Sequence, residues 1–92
     1  MKSINCKVEQ FKGRNGAVKN QFRIFTNEGC FFQSYSSIIA FKPFNGKTQL
    51  DVNKWDYSVT TGKYRNQFLN ETKKETKAKI KNGTYLLTDL NK

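Results

Sequence analysis

Seven basic side chains, Lys63, Arg65, Lys73, Lys74, Lys77, Lys79 and Lys81, fall within nineteen residues and meet only Glu71 and Glu75. The net +5 of that stretch is half of the +10 carried by the whole chain. Cations at that density suit phosphates. They give affinity that falls steeply with salt and reads little sequence, because a lysine is a point charge. The same residues also make an ordinary solvated helix face. A second basic set, Lys12, Arg14, Lys19 and Arg23, lies near the N-terminus. It extends a groove if it shares a side with the first, and weakens that reading if it does not. Trp55, Tyr57, Tyr64 and Phe68 could stack bases at about 1–3 kcal/mol each if exposed. Their helical spacing favours a place in the core instead.

Much chemistry is disfavoured by what the chain lacks. With no His there is no imidazole base, no Ser-His or Cys-His pair and no His metal ligand. Two cysteines, Cys6 and Cys30, cannot build a thiolate-only zinc site, and no phosphate-binding glycine loop occurs. The expectation is a protein without catalysis, metal or cofactor. No apolar run approaches the ~20 residues of a membrane span. MKSINCKVEQ has no apolar leader core, which points to a cytoplasmic chain with both thiols reduced; a Cys6–Cys30 disulfide is the alternative if their strands are neighbours.

The elements that position these groups follow from periodicity. Residues 2–11 alternate, with Ile4, Cys6 and Val8 opposite Ser3, Asn5, Lys7 and Glu9. KGRNG at 12–16 is hairpin chemistry, and a second strand spans 17–27. Val18, Phe22 and Ile24 share one face; Lys19, Gln21 and Arg23 share the other, with Phe25 an apolar exception. A third strand runs near 30–36. Ile38 to Phe41 forms another, which could continue the third through a bend at Ser36-Ser37. KPFNG at 42–46 leads into a strand over 47–52. The character changes at Asn53. Asp56 and Ser58 can both open a helix over 60–69, where Thr61, Tyr64 and Phe68 form one stripe. Asn70 can end it. Thr72 and Glu75 match a capping box for a helix over 72–82, with Glu75 and Lys79 spaced to pair. GTYLLTDL reads as a last short strand.

FFQSYSSIIAF, the Asn-Gly hairpin, WDYSVTTGKYRNQFL and KKETKAKIKNG together resemble a group of small uncharacterised bacteriophage proteins, a domain of unknown function. The likeness covers roughly residues 30–90. It is most specific in W-D-Y-S-x-T-T-x-K-Y-x-x-x-F-L, from Trp55 to Leu69. It implies a phage origin and carries no catalytic residues.

The reading is therefore an α+β domain: one domain over 1–92, with an antiparallel sheet of four to five strands over 1–52, two short C-terminal helices packed on one face within 53–83, and a final short strand over 84–90. The expected function is binding. A basic phage-type module would engage DNA or RNA, or an acidic host protein or nucleoprotein complex of nucleic-acid handling or defence, and inhibit it. No membrane is expected among its partners. The rival is a protein-only inhibitor using a sheet edge or Phe25 and Phe44, or a virion or assembly accessory. A third reading is a histidine-free RNA-cleaving toxin, recruiting Tyr64 with Arg65 or Tyr85 beside the lysines. The order of elements departs from that family.

Overall fold

Phe32 is fully buried, and the architecture is arranged around it. The computed structural model describes residues 6–13 and 16–91. Five strands follow one another as an antiparallel meander: β1 (Cys6–Gly13), β2 (Gly16–Thr26), β3 (Gly29–Ser34), β4 (Ser37–Pro43) and β5 (Gln49–Asp51). Helices α1 (Val59–Leu69) and α2 (Lys73–Lys81) come next, and β6 (Leu86–Thr88) closes the six-stranded sheet by pairing parallel to β5. The sheet is thus mixed but mostly antiparallel, and the fold is α+β. The molecule measures 40 × 35 × 22 Å. Its short axis matches one sheet plus one helical layer at ~10 Å each.

Strands β3 and β4 are separate and antiparallel. Tyr35 adopts φ 57° in the turn between them, where its N–H donates to the Asn20 carbonyl at 2.7 Å. No bent single strand forms. On β2, Asn20 is left-handed at φ 66°, at the irregularity opposite Gln10–Lys12. Gly29 is held by crowding: a Cβ there would lie 2.3 Å from the Lys42 carbonyl oxygen.

Only one face of the sheet receives the helices. Phe32, Ala40 and Leu50 line up across neighbouring strands and are fully buried, with Phe68 and Tyr64 of α1 above them. Phe11 joins at 5.1 Å from Phe32 and 5.6 Å from Tyr64. Ser34 and Thr61 hydrogen-bond at 2.9 Å where α1 meets β3. The ladder Val8–Ile24–Phe31–Phe41–Gln49–Leu86 and its neighbour Gln10–Phe22–Gln33–Ile38 lie on the opposite face. The apolar side of β1 and β2 therefore points away from the helices. Gln21 and Arg23, expected on a solvated side, face inward: Gln21 is buried and Arg23 stacks on the Phe11 ring at 4.0 Å.

Cys6 lies outward on β1 and Cys30 inward on β3, two strands away, so the pair cannot bridge. Burial pushes the Cys30 thiol up, away from the reactive thiolate. The C-terminal residues finish the sheet. The Asp51 carboxylate accepts from the Leu90 N–H at 2.7 Å. The Asn91 amide pairs with both backbone groups of Ile38, at 2.7 and 2.9 Å, where β5 no longer covers β4.

Candidate functional site

The helices carry most of the charged groups of the 54–81 region, with Lys54, Asp56 and Glu71 on the segments that flank and join them. Ser58 caps α1, its hydroxyl accepting from the Thr61 N–H at 3.1 Å. Asn70 ends α1 in the left-handed conformation at φ 56°. From the sheet, the Lys42 ammonium donates to the Phe68 carbonyl at 2.8 Å, satisfying one of the last free acceptors of α1. Burial lowers the Lys42 pKa. Thr72 and Glu75 form the expected reciprocal capping box on α2.

Arg65 is only 1% exposed. Its guanidinium donates to the Trp55 carbonyl at 2.8 Å, Asp56 Oδ1 at 3.1 Å and Asn66 Oδ1 at 2.9 Å, and lies against the Trp55 ring. It is a structural fork, and the expectation of a contact cation at Arg65 is corrected. The guanidinium lies along Gly62, where a Cβ would meet its nitrogens at 3.6 Å, an ordinary contact. Asp56 is likewise no cap. Its carboxylate bridges buried Arg65 and the Lys73 ammonium, the latter at 2.7 Å. Burial pushes the Asp56 carboxyl up, but the hydrogen bonds from Lys73 and Arg65 outweigh it and hold it below the usual range.

A second acidic anchor lies between the helices. Glu71, with its side chain 3% exposed, accepts from Lys79 Nζ at 2.6 Å, Thr76 Oγ1 at 2.6 Å and Tyr85 Oη at 2.9 Å. Burial alone would raise this carboxyl; the three donors more than offset it and its pKa falls. Lys79 therefore pairs with Glu71 and not with Glu75, whose carboxylate is occupied by Thr72. Burial, reinforced by the bond to Glu71, pushes the Tyr85 hydroxyl up, the wrong direction for a general base.

What these anchors leave outward is basic. At ~100° per residue, Lys74, Lys77 and Lys81 fall within a stripe about 60° wide and ~10 Å long on α2. All three are exposed, and none has an acidic partner among the described residues. Lys63 of α1 and Lys73 of α2 line one cleft of about 690 Å³, together with Asp56, Tyr57 and Val59. Arg65, Asp56 and Lys73 together leave one positive charge beside it. No acidic residue occupies the first turn of α1, so its dipole adds to the positive potential at the cleft.

The predicted residues thus divide. Lys74, Lys77 and Lys81 share one exposed stripe of α2, while Lys63 and Lys73 line the cleft. Lys79 is drawn into the Glu71 cluster, Arg65 into the interior and Arg23 onto Phe11. Lys19 is exposed on β2, and Arg14 lies outside the described residues. Tyr64 and Phe68 are core and Trp55 packs against it; only Tyr57 of the four aromatics is exposed. Phe25 and Phe44 sit apart. Phe25 pairs with Cys30 on the helix side, and Phe44 lines an outward depression with Phe41 and Gln49. Glu71 went unforeseen as an anchor; its position five residues before Thr76 and eight before Lys79 was the available signal.

A family model described as a family of unknown function, DUF8033, matches residues 6–83. The chain belongs to DUF8033. The DUF8033 match takes in β1 to β5, both helices and Lys63, Lys73, Lys74, Lys77 and Lys81. No curated protein and no solved structure matches the chain. Among the described residues no acidic or thiol side chains gather where an ion could be held, and no helix is long and apolar enough to cross a membrane.

Proposed function

We propose that the helical layer binds a polyanion, the phosphate backbone of DNA or RNA, without catalysis. The observation that carries this is the outward row of Lys74, Lys77 and Lys81, continued by Lys63 and Lys73 at the cleft. Inward-facing charges in the same layer are matched locally: Asp56 to Arg65, Glu71 to Lys79. Lys63, Lys74, Lys77 and Lys81 are exposed with no acidic partner among the described residues, and Lys73 shares Asp56 with Arg65. Lysines arranged this way position a phosphate chain and read no bases, so the binding is tight at low salt and sequence-tolerant. The likeness to small phage proteins makes a host nucleic-acid-handling or defence complex the natural setting, with inhibition by occupancy as the outcome.

Binding of random-sequence duplex DNA, single-stranded DNA and RNA across a salt series tests this. Three to five phosphate contacts give log K against log salt a slope of about −3 to −4.5 on duplex. Charge reversal of Lys74, Lys77 and Lys81 to Glu removes the affinity and leaves the fold intact. A flat salt response, or undiminished binding by the triple variant, overturns the proposal.

A further inference from the structure

The sheet face turned away from the helices carries no described element, and its two ladders contain no charged residue. The helix-side face reads the other way. Where the helices leave it open, it shows Lys7, Glu9, Arg23 and Lys42. The two central ladders of this face are thus neutral in a chain with 17 basic and 7 acidic residues, with charge at the border, where Lys12 lies at the end of β1 and Glu28 lines the depression beside Phe44. Phe31 and Phe41 stack there at 4.0 Å. Phe44, 71% exposed, borders the same surface across a depression of about 410 Å³ shared with Phe41 and Gln49. Apolar area left in water costs about 25 cal/mol per Å², and contiguous patches beyond a few hundred Å² mark contact surfaces.

We propose that this face binds the same face of a second copy of the chain. In a two-fold pair the same patch is buried on both copies, so any charge on it is desolvated twice. For a chain of +10, a neutral face is the surface on which two copies approach with least repulsion. Nucleic acid or an acidic protein would require cations among the contact residues, and the ladders offer none. The size also fits. Four strands ~20 Å or more long and two three-residue strands of ~10 Å, ~4.8 Å apart, give a flat footprint of roughly 480 Å². Side-chain relief raises the accessible area toward the ~800 Å² per partner of a standard interface. Two such sheets pack ~10 Å apart with interdigitating side chains. The two helical layers then face outward on opposite sides. This inference stands independently of the polyanion reading.

Sedimentation equilibrium of the full chain from about 5 to about 500 µM tests it by mass action. The expected mass rises from 10.7 kDa toward twice that value. Association strengthens between about 50 and 500 mM salt, because screening removes the repulsion between two cationic molecules. That trend is opposite to phosphate binding, so failure of one proposal is distinguishable from failure of the other. Val8 and Leu86, 57% and 45% exposed, lie at opposite ends of the first ladder. V8E and L86E each weaken association at least about tenfold, since each buries an unpaired carboxylate from both copies, while the melting temperature stays near that of the parent. A mass of 10.7 kDa throughout overturns the proposal. So does association that L86E leaves untouched, the signature of β1 edge pairing, and so does association that fades with salt.

Discussion

Replacing Glu71 by Gln probes the bond between the two helices and the C-terminal segment. The carboxylate is 3% exposed and takes three donors: Lys79 and Tyr85 on Oε1, Thr76 on Oε2. Gln keeps the shape but offers one acceptor oxygen. Placed at Oε1 it still receives Lys79 and Tyr85, now without charge assistance; its NH2 faces Thr76, whose hydroxyl turns to the Thr72 carbonyl 3.2 Å away. Hydrogen bonds to charged groups contribute ~1.5–3 kcal/mol against ~0.5–1.5 for neutral ones, so E71Q costs about 1–2 kcal/mol. At ~4–8 °C per kcal/mol for a chain of this size, the melting temperature falls by roughly 5–15 °C. The pH dependence fixes the cause. The Glu71 pKa is lower in the folded chain than its ordinary 4.5. Its contribution is therefore complete above about 4.5 and is lost as pH falls through the folded value. Thermal melts followed by circular dichroism from neutral pH into acid give the parent–E71Q difference. The difference holds at neutral pH and closes in acid. A gap that persists unchanged through the whole acid range in which the chain stays folded, or no gap at pH 7, refutes the reasoning.

Gln21 is fully buried and neither of its amide atoms has a partner. Relieving an unpaired buried polar group recovers ~1–3 kcal/mol, so Q21L raises the melting temperature; an unchanged or lower value counts against it. R65K loses stability by ~2 kcal/mol in denaturant titration, because one ammonium cannot serve the three acceptors the guanidinium holds, whereas K77E stays within ~0.5 kcal/mol of the parent. G29A is severely destabilised, since its methyl meets the Lys42 oxygen at 2.3 Å and Pro43 Cα at 2.7 Å; a normal melt for this variant would contradict the β3–β4 register.

Local elements were legible because their signals are local. The Thr72–Glu75 box and the Tyr64–Phe68 stripe placed both helices within a residue or two of their observed bounds. The Asn45-Gly46 step marked the turn that Gly46 makes at φ 119°. Long-range choices were not written in the pattern. Alternation in β2 says that Phe22 and Ile24 share a face, but not that the helices take the other one. That choice depends on where Tyr64 and Phe68 find Phe32 and Phe11. Parallel pairing of β6 with β5 follows from the path through two helices, which three residues of strand cannot announce. In the site, lysine count was visible but lysine pairing was not. Arg65 and Lys79 look like Lys77 in sequence, and only the fold brings Asp56 and Glu71 to them.

The central claim is that phosphate meets the helical layer through Lys63, Lys73, Lys74, Lys77 and Lys81. Amide NMR spectra of the isotope-labelled chain, titrated with a short oligonucleotide at low salt, test it most directly. The account predicts shifts confined to α2 and the N-terminal turn of α1, largest around Lys74, Lys77 and Lys81, reversed by added salt. Shifts centred instead on Phe31 and Phe41 of the opposite face, or none at all, would contradict it.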